Sequence, residues 1–375
     1  MEIGLVGKTN VGKSSFFKAA TMIDVEISDR TFVTIKPNVG VSYVSTGCVC
    51  KELKLTCNPR NSQCINNTRL IPVKLLDVAG LVPGAQQGRG LGNQFLNDLI
   101  PADVLIHIVD ISGKTDEEGR PTDYHDPSKD VKFLENEIDL WFESVIRKHL
   151  EKLKTENKLE VLTGIGIKRS LVEEAVAKAG YEVEKLAKEL RILSKPIVIA
   201  ANKMDIENSE KNLAKTLEDF PSLPIIPCSA EAEIALRTAA KNGLIEYIPG
   251  SKDFKIIKDL NDNQKKGLEF LKERVLNRYG STGIQDCLNK ALFDFLRYIV
   301  VYPVENEHKF SDKKGSILPE AYLMPPNSTV LDLAFKIHTD IGKHFIGAID
   351  ARTKKRVSAD YQLRNGDIIS ILTSK

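Results

Sequence analysis

Apolar positions along this chain follow two rhythms. Short continuous runs at EIGLV (2–6), VKLL (73–76), VLIHIVD (104–110), PIVIA (196–200) and IIPCSA (225–230) have the length and β-branched content of buried strands. The first run ends at Gly7 and leads through a glycine-rich turn into the helix-forming stretch SSFFKAA. Strand-then-helix units repeated this way predict an α/β fold, a mainly parallel sheet with helices on both faces.

The second rhythm is helical. Asp126-Pro127 predicts an N-cap followed by proline at the first helical position. From there Val131, Leu134, Ile138, Trp141, Phe142, Val145 and Ile146 recur on one face, and Leu150 and Leu153 extend the stripe. Trp141 is expected to pack in the interior. A second helical stretch is predicted from Leu171 to Leu193. The interval between Asp110 and Pro196 far exceeds the roughly 30 residues of a simple crossover. It therefore predicts an antiparallel helical hairpin inserted into the sheet domain. Residues 231–300 read as mostly helical. Beyond Val301, short strands, one short helix and turn signals such as Asn365-Gly366-Asp367 predict a small α+β domain. The expected division is a sheet domain over 1–114 and 195–300, a helical insertion over 115–194 and a tail domain over 301–375.

Composition narrows the function classes. A net charge of +2 gives no global pull toward nucleic acid or membrane, so any basic surface must be local. No apolar run reaches the roughly 18 residues of a spanning helix. The opening MEIGLVGKTN lacks the pattern of a cleavable signal. A soluble, cytoplasmic, monomeric protein with no membrane partner is expected.

Chemistry concentrates at the predicted strand ends. Gly7-Lys8-Thr9-Asn10-Val11-Gly12-Lys13-Ser14 fits G-x-x-x-x-G-K-[ST], with a strand before it and a helix after it. Backbone N–H groups of such a loop, continued at Ser15, turn inward around phosphate oxygens, and the helix adds its positive end. Lys13 is expected to neutralise the β- and γ-phosphates, and Ser14 to ligate Mg²⁺. Asp77 in Asp77-Val78-Ala79-Gly80 is placed to hold the Mg²⁺ shell, and the Gly80 N–H to meet the γ-phosphate. Thr34 is the hydroxyl expected to close on the metal. Asn202-Lys203-Met204-Asp205 follows a strand; the Asp205 carboxylate can accept from guanine N1–H and the 2-amino group, which adenine cannot offer there. Ser229 and Ala230, after the next strand, are placed to touch guanine O6. Leu81 stands where many GTPases carry a water-orienting glutamine.

GLVGKTNVGKSS, TIKPNVG, LLDVAGLVPGAQQGRGLGNQFL and ANKMD together resemble the Obg-related GTPases, within them the YchF-like branch. FKIHTDIGKHFIGA in the tail resembles a TGS domain, a β-grasp module. The resemblance implies a GTP-hydrolysing switch associated with ribosomes or RNA. It also implies a hydrophobic residue in place of the glutamine, with K⁺ held beside the phosphates through Asn10. Asn10, Lys13, Thr34 and Gly80 are then the expected catalytic groups. Typical YchF proteins alter the base-specificity motif and accept ATP, whereas Asn202, Lys203 and Asp205 are intact here. Two alternatives stay open: a YchF-type ATPase, and a nucleotide-gated RNA-binding module with negligible turnover.

Four of the six cysteines crowd together at Cys48, Cys50, Cys57 and Cys64, in a polar loop between two predicted strands. A Zn²⁺ site, disulfides and free thiols are all compatible with this spacing. Arg352, Lys354, Lys355 and Arg356 form either a solvated turn or an RNA contact. His107 is expected to be a core histidine.

Overall fold

The computed structural model describes residues 1–22, 39–78, 99–153, 162–163 and 166–374. Thr34, Gly80 and Leu81 lie outside them. The described residues form two compact units, one drawn from 1–22, 39–42 and 74–291, the other from 43–73 and 292–374. Residues 43–73, assigned by sequence to the sheet domain, therefore group with the tail.

The larger sheet is built mainly on parallel strands. β1 (Glu2–Val6), β2 (Val39–Gly47), β3 (Gln63–Ile65), β4 (Thr68–Asp77), β5 (Val104–Asp110), β6 (Ile197–Asn202) and β7 (Ile225–Pro227) follow in chain order. Their order in the sheet is β2-β4-β1-β5-β6-β7, with β3 paired to β4. β4, β1, β5, β6 and β7 are mutually parallel. β5 and β6 are buried at every position, which explains their largely apolar sequences. The register sets Leu5 against Asp77, Val6 against His107 and Asp110 against Asn202, so the carboxyl ends of the strands share one edge. Ligands bind at this edge in open α/β sheets, where the chain order reverses around β1.

Besides helical residues at 162–163, the long interval contains the helices Pro127–Leu153, Arg169–Ala179 and Val183–Ser194, not a two-helix hairpin. The second predicted stretch breaks at Gly180, whose φ of 64° cannot continue a helix. Val131, Leu134, Ile138, Phe142 and Ile146 are buried as expected, and Trp141 packs against them. Their cluster also contains Val6, Leu99, Leu105 and Val109 of the sheet domain. The insertion therefore shares the sheet's core. Among the described residues, no helix is long and apolar enough to cross a membrane.

A ribbon of β8 (Ile245–Glu246) and β9 (Lys255–Ile256) precedes the remaining helices of this unit. The tail carries β10 (Ile299–Val304), β11 (Tyr322–Met324), β12 (Phe345–Asp350), β13 (Lys355–Val357) and β14 (Ile368–Thr373), in the order β11-β10-β14-β12-β13. Val330–Ile337 packs on this sheet through Val330 and Leu333, and its first turn is fixed by a Thr329–Asp332 capping box. Two short helices occur here where the sequence predicted one.

Candidate nucleotide site

The loop after β1 has the conformation its glycines foretell. Gly12 caps the helix Lys13–Thr21 at φ 92°, with no side chain capping that helix end. Its N-terminal N–H groups are thus left for a ligand. A side chain at Gly12 would also strike the Asn202 amide. At Gly7, a Cβ would come within 2.7 Å of the Ile108 carbonyl, so that glycine lets the loop lie against β5.

Beside the loop opens a cavity of about 590 Å³. Lys8, Thr9, Asn10, Gly12, Lys13, Ser14, Ser15, Asn202, Lys203, Asp205 and Ala230 line it, joined by Ile206 and Glu231, which the sequence did not single out. Lys13 Nζ pairs with Asp77 Oδ1. The Ser14 hydroxyl and the Asp77 carboxylate are oxygen donors of the kind Mg²⁺ takes, and the Lys13 ammonium is the group suited to phosphate beside them.

The base-side turn is braced by hydrogen bonds. Asn202 Nδ2 donates to the Val11 carbonyl at 2.9 Å, and its Oδ1 accepts from the Ala230 N–H at 3.1 Å. Lys203, at φ 69°, donates to the Asn10 carbonyl at 2.9 Å and pairs with Asp110 at 2.8 Å. Ser229 Oγ donates to Asp205 Oδ1 at 2.7 Å while capping the helix Ala230–Lys241. Ser229 and Val11 therefore support the cavity without lining it.

Three loop side chains are committed elsewhere. Lys8, only 5% exposed, pairs with Asp130 at 2.7 Å and donates to the Thr115 carbonyl at 3.0 Å. Its ammonium does not face phosphate, which leaves its backbone N–H for that role. Asp130 in turn meets His125 at 2.9 Å, and burial raises its pKa. Thr9 Oγ1 donates to the Glu118 carbonyl, and Asn10 Nδ2 to the Gly119 carbonyl, both at 2.8 Å. The segment 115–121 thus packs on the loop. Sequence reasoning missed Asp110, Thr115, Gly119 and Asp130; only Asp110, closing an apolar strand, carried a signal. His107 is buried, and burial, with Lys8 nearby, lowers its pKa to about 3. It is a neutral core residue.

The four clustered cysteines lie in the second unit. Their sulfurs all fall within 4.8 Å of one another, and all four are free thiols. They are not on a plain loop. Cys50 opens the short helix Cys50–Leu53, and Cys64 is on β3, which turns into β4 through Asn66 and Asn67, both at positive φ. The hydrogen bond with Cys64 is the largest influence pulling Cys48 down to about 5, while burial and Cys48 push Cys50 up to about 12.

The basic segment divides. Arg352 pairs with Glu52 and donates to the Gly366 carbonyl at 3.0 Å. Lys354 lies 4.5 Å from the centre of the Phe310 ring and bonds the Ala351 carbonyl. Lys355 and Arg356 are exposed on β13.

A phosphate loop, a carboxylate ending the adjacent strand and an Asn-Lys-Met-Asp turn on one sheet edge define a P-loop protein of the GTPase class. Residues 2–147 match the family model of the 50S ribosome-binding GTPase, 200–306 that of the Obg-like GTPase YGR210-like, G4 motif-containing domain, and 309–373 the TGS domain. A GTP-binding protein of Methanocaldococcus jannaschii is 48% identical, covering 99% of both chains. The crystal structure of a GTP-binding protein from Pyrococcus horikoshii is 42% identical, covers 100% of both chains and has a TM-score of 0.78. A Bacillus subtilis protein named ribosome-binding ATPase YchF is 30% identical over 62% of this chain and 66% of its own. The chain belongs to the Obg-like GTPases and carries a C-terminal TGS domain.

Proposed function

We propose that this protein hydrolyses GTP to GDP and phosphate as a cytoplasmic, monomeric switch acting on the ribosome through RNA. The observation that carries the guanine reading is Asp205, lining the cavity with one oxygen held by Ser229 and the other left for the base. In the reaction, water attacks the γ-phosphorus and the bond to the β–γ bridging oxygen breaks. Lys13 binds the β- and γ-phosphates. Ser14, Asp77 and Thr34 are the proposed Mg²⁺ residues, and the metal when bound supplies charge neutralisation. The Gly80 N–H is proposed to meet the γ-phosphate. Leu81 cannot orient water, so K⁺ held by Asn10 is proposed to supply charge that an arginine finger supplies elsewhere.

The ribosomal role is supported by the family model's description and by the name of the Bacillus relative. Of the basic segment, Lys355 and Arg356 are proposed as RNA contacts; Arg352 and Lys354 are engaged in the turn itself.

Product release from GTP and ATP, with and without ribosomes, tests this reading. GTP turnover that rises with ribosomes is expected. Asp205→Asn should shift preference toward xanthosine triphosphate. Equal wild-type affinity for ATP and GTP would overturn the guanine reading, and absent multiple turnover would favour a binding module. Neutralising Lys355 and Arg356 should flatten the salt dependence of ribosome binding.

A further inference from the structure

We infer that Cys48, Cys50, Cys57 and Cys64 hold a structural Zn²⁺ that fastens the segment 48–69 to the tail domain of the second unit. The sulfur geometry is the first ground. Zn–S bonds of about 2.3 Å in a tetrahedron set the sulfurs about 3.8 Å apart. Cys50 Sγ and Cys64 Sγ are 3.8 Å apart, and all four sulfurs lie within 4.8 Å of one another. Cys48 and Cys50 are buried and the other two half-buried. Four protein ligands leave no open position, so the site is structural, not catalytic.

Charge is the second ground. Four thiolates around Zn²⁺ carry a net charge of −2. Arg69 is fully buried, and among the described residues no carboxylate lies within ion-pair reach of it. Its Nη1 points to Cys57 Sγ at 3.6 Å. A buried guanidinium needs an anionic partner, and a zinc–thiolate centre provides one. The guanidinium also lies 5.5 Å from the centre of the Tyr302 ring, and its Nη2 donates to the Leu318 carbonyl at 2.7 Å. The same side chain therefore touches the cysteines and the tail.

The loop between Cys57 and Cys64 makes the attachment. The Asn58 N–H donates to the Ile317 carbonyl at 2.8 Å and the Arg60 N–H to the Pro319 carbonyl at 2.7 Å. Asn61 exchanges two side-chain bonds with the Ala321 backbone, at 3.1 and 3.0 Å. This loop is too short and polar to order itself by burial. Ligation at both its ends removes the entropy that otherwise opposes these bonds.

Elemental analysis of full-length protein purified without added metal should find about one zinc per chain. Cobalt exchanged into the site should give the thiolate charge-transfer and ligand-field bands of a tetrahedral centre. Cys57→Ser with Cys64→Ser should lose the metal. Removing zinc from wild-type protein with a chelator should speed hydrogen exchange at Asn58, Arg60 and Ala321, and leave P-loop amides and GTP affinity unchanged. The cobalt and chelator arms use wild-type chain, so a variant that fails to fold does not shield the proposal. Four thiols that titrate as free in metal-free protein as purified, or a red ferric–thiolate centre, would overturn the zinc assignment. Zinc whose removal leaves those amides equally protected would overturn the fastening.

Discussion

The amide of Asn202 and the carbonyl of Val11 are joined by a 2.9 Å hydrogen bond across 191 residues of chain. The other end of the same amide accepts the Ala230 N–H. One side chain therefore fixes the phosphate loop and the base loop to a single strand end. Asn202→Ala would leave a buried carbonyl and a buried N–H unpaired, at about 1–3 kcal/mol each. Neither bond depends on the γ-phosphate. Affinity for GTP and GDP should therefore fall together, by roughly 10- to 100-fold. Calorimetric titration with both nucleotides checks this; a loss confined to GTP would contradict it.

Asn10 is held at φ 61° with its Nδ2 on the Gly119 carbonyl, which fixes the amide at the cavity wall. Its oxygen is then the atom proposed to face K⁺. Hydrolysis should run faster in K⁺ than in Na⁺ at equal ionic strength. Asn10→Ala should erase the difference while GTP still binds through Lys13 and the loop N–H groups. Leu81→Gln alone should not restore fast turnover, because the missing charge is a separate deficit. Identical rates in the two salts would instead point to an arginine from a partner.

His107 titrates near 6.5 when unfolded but is lowered to about 3 in the fold by burial, with Lys8 adding repulsion. The unfolded chain therefore binds the proton first as pH falls. Stability from this residue is complete above pH 6.5 and is lost progressively down to about pH 3, at most a few kcal/mol. His107→Leu should flatten that part of the acid limb. Urea unfolding at several pH values between 7 and 4 measures it; parallel loss in both proteins would reject this source.

The chain by itself determined the nucleotide-binding class. Gly7 to Ser14, Asp77 and Asn202 to Asp205 are contiguous motifs at the ends of apolar runs, and local backbone geometry is enough to make them legible. The helical stripe from Val131 to Ile146 was legible for the same reason, since period and burial coincide. Tertiary structure decided what each polar group near the motifs does. Lys8 looks like a phosphate ligand beside Lys13, yet Asp130 draws its ammonium away. Arg352 looks like its basic neighbours, yet Glu52 and Gly366 occupy it. The cysteine spacing left zinc, disulfide and free thiol open; folding brings the four sulfurs within 4.8 Å of one another beside a buried Arg69, which spacing alone does not encode. Spacing along a chain encodes backbone periodicity. The partner of a charge or a thiol depends on distances through space, set by how sheet and helices pack.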